Sequence, residues 1–272
     1  MSAEPAAIPA RPVALVTGAS SGIGRAFAEH FLRSGHDVFA VGRDADALDS
    51  LAAGAPPGGP LVTTCVSDLS TPGGVSRVLE LCPGPDVVVA NAGYTIAGRA
   101  GTADWRALED LSYLTGAGVA QLLEALAPGM VRRGTGDVLI VSSIASLIRM
   151  PGSAVYAASK SYATAYGRSL HRELRGTGVR VCVLCPGYVR TPLHERSGLG
   201  HLVRQVPGWM WVEPDAVVAA GIRGLRRGKE VVVPGFVYRV ALPFLNLGLA
   251  QRVWARMTRR NNRLRPRGPA SP

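Results

Sequence analysis

The residues best placed to do chemistry are Tyr156 and Lys160, in the run Tyr156-Ala157-Ala158-Ser159-Lys160. On a helix, a spacing of i and i+4 puts both side chains on one face, one turn apart. An ammonium beside a phenol favours the phenolate. The pair is therefore expected to lower the phenol pKa and to exchange a proton near neutral pH. The Lys stands out because lysine occurs only at Lys160 and Lys229, the other basic side chains being Arg. Ser143 lies thirteen residues upstream of Tyr156 at the end of an apolar run. Its hydroxyl could hydrogen-bond a substrate oxygen.

Other reactive side chains carry less. His194 and His201 fall in an irregular stretch, and His171 falls on a helical one. No His, Cys, Asp and Glu cluster has metal-ligand spacing, so no metal is expected. No Gly-x-Ser-x-Gly elbow is present to hold a hydrolase nucleophile. Cys182 and Cys185 form a C-x-x-C, but they sit in a strand-like run whose side chains alternate in direction. They are expected on opposite faces, as unpaired thiols in a reducing cytoplasm.

A proton-transfer pair needs a reaction partner, and the N-terminal turn suggests a dinucleotide. Thr17-Gly18-Ala19-Ser20-Ser21-Gly22-Ile23-Gly24 separates a short apolar run from a helical pattern. Glycines there let the backbone turn tightly and approach a pyrophosphate, while the helix N-terminus presents free N–H groups and a positive dipole end. Gly18, Ser20, Ser21, Gly22, Ile23 and Gly24 are the expected contacts. After the second strand comes Gly42-Arg43-Asp44. An acidic residue there suits ribose hydroxyls and a basic one a 2′-phosphate, so Arg43 favours NADP over NAD despite the adjacent Asp44. Asp68 and Leu69 follow the third strand, where an adenine would lie. Asn91, Ala92 and Gly93 follow the fourth, and the small residues would admit a ribose or nicotinamide.

These residues must be positioned by alternating strands and helices. Apolar runs at 13–17, 37–41, 61–66, 87–90, 137–142, 179–184 and 230–233 read as strands. They are uninterrupted rather than alternating, as in a parallel sheet buried on both faces. Helical periodicity appears at 23–34, 45–53, 73–81, 103–133, 156–175 and 214–226, with Gly116 and Gly118 interrupting the longest. The fold class expected is α/β: a Rossmann-type, doubly wound parallel sheet in three layers, α/β/α, with about seven strands. Its domain would span residues 12–235, including an irregular substrate loop at 188–212 that carries Trp209, Met210 and Trp211.

The order and spacing of these motifs resemble those of the short-chain dehydrogenase/reductase family over residues 12 to 235. Thr-Gly-x-x-x-Gly-x-Gly, Asn91-Ala92-Gly93, Ser143, Tyr156-x-x-x-Lys160 and Pro186-Gly187 all match. The resemblance implies Tyr156 as general acid/base, Ser143 as carbonyl or hydroxyl binder, and Lys160 as ribose binder and phenol activator. It also implies that Pro186, Gly187, Val189 and Thr191 border the nicotinamide. A homodimer or homotetramer built through helices 103–133 and 156–175 follows from it too. One family position departs: where that pattern has Asn before Leu-Thr-Gly, this chain has Tyr113. A phenol cannot copy the amide understood to hold a relay water. Three readings stay open: a rebuilt relay in a working ketone reductase, a slowed or rerouted proton supply, or non-redox or binding-only use of the fold. The last would be a cyclase, dehydratase or isomerase, or an NADP-binding regulator.

Composition sets the outer bounds. Length, at 272 residues, and an apolar share of 47% suit one large domain. The formal charge of +11 is concentrated: seven Arg and no acid lie in the last 21 residues, leaving +4 for the rest. That distribution argues against nucleic acid and for a small-molecule substrate with an anionic cofactor. Residues 1–11 read as a flexible N-terminus without a signal-peptide core. No run of about 18 uninterrupted apolar residues predicts a spanning helix. The extension 236–272, apolar and then Arg-rich, reads as a helix on the core, an oligomer contact, or an amphipathic segment in peripheral membrane contact.

Overall fold

Seven apolar runs become seven parallel strands: β1 (Val13–Thr17), β2 (Asp37–Gly42), β3 (Val62–Val66), β4 (Val87–Ala90), β5 (Gly136–Val141), β6 (Val179–Leu184) and β7 (Val231–Val232). They form one sheet in the order β3-β2-β1-β4-β5-β6-β7. The computed structural model describes residues 11–82, 84–98, 100–191 and 206–245. Expectations for the N-terminus, for residues 192–205 with His194 and His201, and for the Arg-rich segment after residue 245 lie outside them.

Each strand feeds both layers. Leu15 of β1 joins the core on one face, while Ala14 and Val16 join the core on the other. That division explains the uninterrupted apolar runs. Helices α1 (Gly22–Arg33) and α2 (Ala45–Ala53) cover the second face together with α7 (Pro214–Arg226). Helices α3 (Pro72–Leu81), α5 (Gly118–Arg133) and α6 (Ala154–Glu173) cover the first. Fully buried residues such as Leu15, Phe27, Leu139 and Ile140 each contribute about 1.5–3 kcal/mol by leaving water. The C-x-x-C pair divides the same way: Cys182 joins one core and Cys185 the other, both as free thiols.

The long helical pattern at 103–133 is not one α-helix. α4 (Trp105–Ser112) passes through a π-helical turn (Tyr113–Ala117) into α5, so the glycines shift the register instead of stopping the helix. Together these 29 residues are long and apolar enough to cross a membrane by length and composition. Leu111, Leu122, Leu123, Leu126 and Met130 are instead buried in the protein, and the segment is a core helix. The fifth strand ends at Val141, so Ser143 lies beyond it as the N-cap of a short 3-10 turn (Ile144–Ser146). The helix α8 (Phe236–Leu245) follows β7 and is the last among the described residues.

The chain reverses direction across the sheet between β3 and β4, leaving β1 and β4 adjacent. At such a switch point the loops leave in opposite directions and open a crevice at the carboxyl ends of the strands. The dinucleotide turn and the residues after β4 both face it.

Candidate active site

A cavity of about 1190 Å³ occupies this crevice. Its lining brings together Gly18, Ser20, Ser21, Gly22 and Ile23 after β1, Arg43 after β2, Asp68 and Leu69 after β3, and Asn91, Ala92 and Gly93 after β4. Ser143, Tyr156, Lys160, Pro186, Gly187, Val189 and Thr191 complete it. Gly24 is the expected contact that does not line it. A Cβ on Gly24 would sit 2.1 Å from the Gly18 carbonyl oxygen, so this glycine lets α1 cross its own turn. Gly18 and Gly22 hold φ of +69° and +57°, a region costly for side chains with a Cβ.

The turn fits a dinucleotide. α1 has no acidic residue in its first turn to compete with an anion. Arg43 is exposed at the rim, its guanidinium 5.9 Å from the centre of the Tyr94 ring. Asp44 also borders the cavity, but it is the N-cap of α2 and accepts from the Ala47 N–H at 3.1 Å. That bond engages one oxygen of the carboxylate in capping the helix. Thr17 was not anticipated. Its hydroxyl donates to Val89 O at 3.2 Å and accepts from Asn91 N at 2.8 Å and Ala92 N at 3.0 Å. Asn91 in turn donates to Thr17 O at 2.9 Å, so β1 and β4 are tied at the point where the crevice opens.

The chemical end is built from α6 and the loop after β5. Tyr156 and Lys160 stand one turn apart on α6. Ser143 accepts from the Ala145 N–H at 3.1 Å, and its hydroxyl stands close enough to the Tyr156 phenol to act on it. Lys160 is 5% exposed and donates to Val141 O at 2.9 Å. Burial pushes the Tyr156 phenol above its ordinary pKa, opposed by the Ser143 hydrogen bond. Burial lowers Lys160 to about 8. The expected depression of the phenol pKa is therefore corrected: in this cleft burial outweighs the pull of Ser143, and the phenol keeps its proton at neutral pH.

Behind this pair lies a hydroxyl ladder. Ser142 donates to Lys160 O at 3.0 Å, and the single Thr164 proton serves either Ser142 at 2.7 Å or Ser146 at 2.9 Å. Every member is buried or part-buried and bonded, so the backbone carrying Ser143 and Lys160 is held rigidly.

Tyr113 does not border the cavity. Its ring lies along α5, where a Cβ on Gly118 would come within 3.0 Å of it, and its hydroxyl donates to Gln121 Oε1. It packs against the core on that face of the sheet. The substitution thus removes an amide from the turn without inserting a phenol into the reaction space.

A family model described as short chain dehydrogenase matches residues 12–200. The chain belongs to that family. It is an NAD(P)-dependent short-chain oxidoreductase. A relative from Myxococcus xanthus, named an uncharacterized oxidoreductase, is 36% identical over 234 residues, covering 85% of this chain and 89% of its own length. The 1-deoxy-11-beta-hydroxypentalenate dehydrogenase of Streptomyces exfoliatus is 39% identical over 192 residues, 66% of this chain and 68% of that one. A solved short-chain dehydrogenase from Sphingobium yanoikuyae, in complex with NADPH, superposes with a TM-score of 0.76 at 28% identity, covering 96% and 98% of the two chains.

The substrate side of this short-chain dehydrogenase holds residues that no motif marked. Ile96, Ile148, Met150, Tyr188, Met210 and Val237 give it an apolar wall. Tyr188 and Met210 fall in the irregular stretch 188–212 and Val237 in the apolar start of the extension 236–272; Ile96, Ile148 and Met150 carried no sequence signal. The ends of the loop are stitched together: Arg190 N donates to Val212 O at 3.0 Å and Val212 N to Tyr188 O at 2.9 Å.

Proposed function

We propose that this oxidoreductase uses NADP(H) to interconvert a ketone and a secondary alcohol on an apolar substrate. The observation that carries the reading is the meeting of the Ser143 and Tyr156 hydroxyls beside Lys160 in a largely apolar cavity. Gly18, Ser20, Ser21, Gly22 and Ile23 would hold the pyrophosphate, Arg43 the 2′-phosphate, and Asp68 with Leu69 the adenine. Asn91, Ala92, Gly93 and Lys160 would border the ribose, and Pro186, Gly187, Val189 and Thr191 the nicotinamide. When bound, the cofactor supplies or accepts the hydride.

The remaining chemistry belongs to the chain. Ser143 and Tyr156 both offer protons to one point, so a carbonyl oxygen placed there is polarised and orientated. Tyr156, neutral in this cleft, delivers a proton as negative charge develops on that oxygen. Lys160, predominantly cationic below pH 8, favours the phenolate left behind. The apolar wall excludes water and holds the two reactants in contact. The NADPH complex of the Sphingobium yanoikuyae protein supports the cofactor. The hydroxylated compound in the name of the Streptomyces exfoliatus relative supports an alcohol substrate.

The test is oxidation of NADPH against a panel of bulky apolar ketones, with Tyr156→Phe and NADH as controls. Ketone-dependent turnover that prefers NADPH and falls at least ~100-fold in Tyr156→Phe is expected. Turnover surviving in the variant would remove Tyr156 as the acid. Product formed without any change in nicotinamide absorbance would replace the reading with non-redox chemistry.

A further inference from the structure

α8 presents two different faces. Val237, Tyr238 and Ala241 line the cavity. Phe236, Arg239 and Val240 point to solvent, with Phe236 72% and Val240 49% exposed. These three fall at i, i+3 and i+4, a single stripe. Trp209, 67% exposed, borders the same cavity, and the carbonyl of its neighbour Met210 accepts from the Tyr238 hydroxyl at 2.6 Å. The exposed indole thus stands at the cavity's rim next to α8, and Phe236 and Val240 lie on the outward side of that helix.

The sequence beyond α8 indicates what covers this rim. Residues 246–272 carry seven Arg and no Asp or Glu. A second copy of the chain seated on the stripe would bring two such cationic segments together, and they would repel. An anionic bilayer attracts the Arg and accepts Phe and Val at its interface.

We propose that the Phe236–Val240 stripe docks on an anionic lipid surface, setting the cavity against the bilayer so that an apolar substrate enters from lipid. The entry of substrate rests on the ketone and alcohol reading above; the docking does not.

Co-sedimentation of the full chain with phosphatidylcholine vesicles, with and without phosphatidylglycerol, tests it. Binding to the phosphatidylglycerol vesicles is expected to be roughly tenfold tighter or more and to weaken with salt. Phe236→Asp/Val240→Asp is expected to lose roughly tenfold of that binding, because two charges replace the inserting side chains. Neither residue borders the cavity, so kcat/KM on a small water-soluble ketone should be unchanged and certifies the fold. Three outcomes overturn the proposal: no binding by the full chain, equal binding by the variant, or light scattering that shows an oligomer broken by the variant. Vesicle binding by a protein that turns over no ketone would sink the functional reading and leave the docking standing.

Discussion

The Tyr238 ring lies directly over Gly187: a Cβ on Gly187 would sit 2.1 Å from the ring carbon Cζ. The Tyr238 hydroxyl donates to Met210 O at 2.6 Å and accepts from Tyr188 N at 3.0 Å. One side chain thus joins α8, the loop after β6 and the end of the substrate loop. The Pro186-Gly187 step matters here for the space it leaves above it.

Gly187→Ala should therefore act as an overpacking change. The added methyl must displace a ring that is 4% exposed, at a cost of about 1–3 kcal/mol. Since Val237 and Ala241 move with α8, KM for a bulky ketone should rise more than kcat falls. Combining it with Tyr238→Ala should cost less than the sum of the two single changes in thermal unfolding, because the clash disappears with the ring. Simple additivity would mean that the two residues do not press on each other.

Tyr113 makes a second prediction. Its phenol bonds Gln121 and stays outside the cavity. Tyr113→Phe should keep ketone reduction within about threefold while losing one hydrogen bond worth about 0.5–1.5 kcal/mol. For a chain of this size, that is a fall in Tm of a few degrees. A drop of tenfold or more in kcat with the fold intact would place the phenol in the proton path.

The sequence revealed the sheet and the reacting trio for different reasons. Strands such as Val87–Ala90 are buried on both faces, so their signal is local and continuous. Tyr156 and Lys160 are joined by helical spacing, which requires no knowledge of the tertiary fold. The π turn at Tyr113 escaped detection because Gly116 and Gly118 look like a break. Gly118 in fact makes room for the Tyr113 ring. The wall formed by Ile148, Met210 and Val237 has no pattern of its own, since long-range packing alone assembles it. The sign of the Tyr156 shift is hidden from the sequence for a related reason. Residue types reveal a neighbouring charge but not the loss of water around a phenol.

Lys160 carries the last prediction, for the cofactor-free protein. Burial holds its folded-state pKa at about 8, below the value of 10.5 expected of a free lysine. Below pH 8 both states are protonated, and the cost of a buried ammonium is felt in full. Between pH 8 and 10.5 the folded state has released the proton while the unfolded chain keeps it, so this group's contribution to stability rises with pH. Above about pH 9 the buried thiols of Cys82 and Cys182, raised to about 11 and about 12, act in the opposite direction. The comparison is therefore between the native chain and Lys160→Met, in urea unfolding across pH 7 to 10.5. The variant should be the more stable at pH 7, and its advantage should shrink by about 3 kcal/mol over the window. Ketone reduction should be lost at every pH. A difference that stays flat with pH would show that Lys160 keeps its proton in the folded chain as in the unfolded one, and the depression to about 8 would fail. An advantage that already shrinks at full slope from pH 7 would show that Lys160 is uncharged when buried, and the cationic role assigned to it beside Tyr156 would fail.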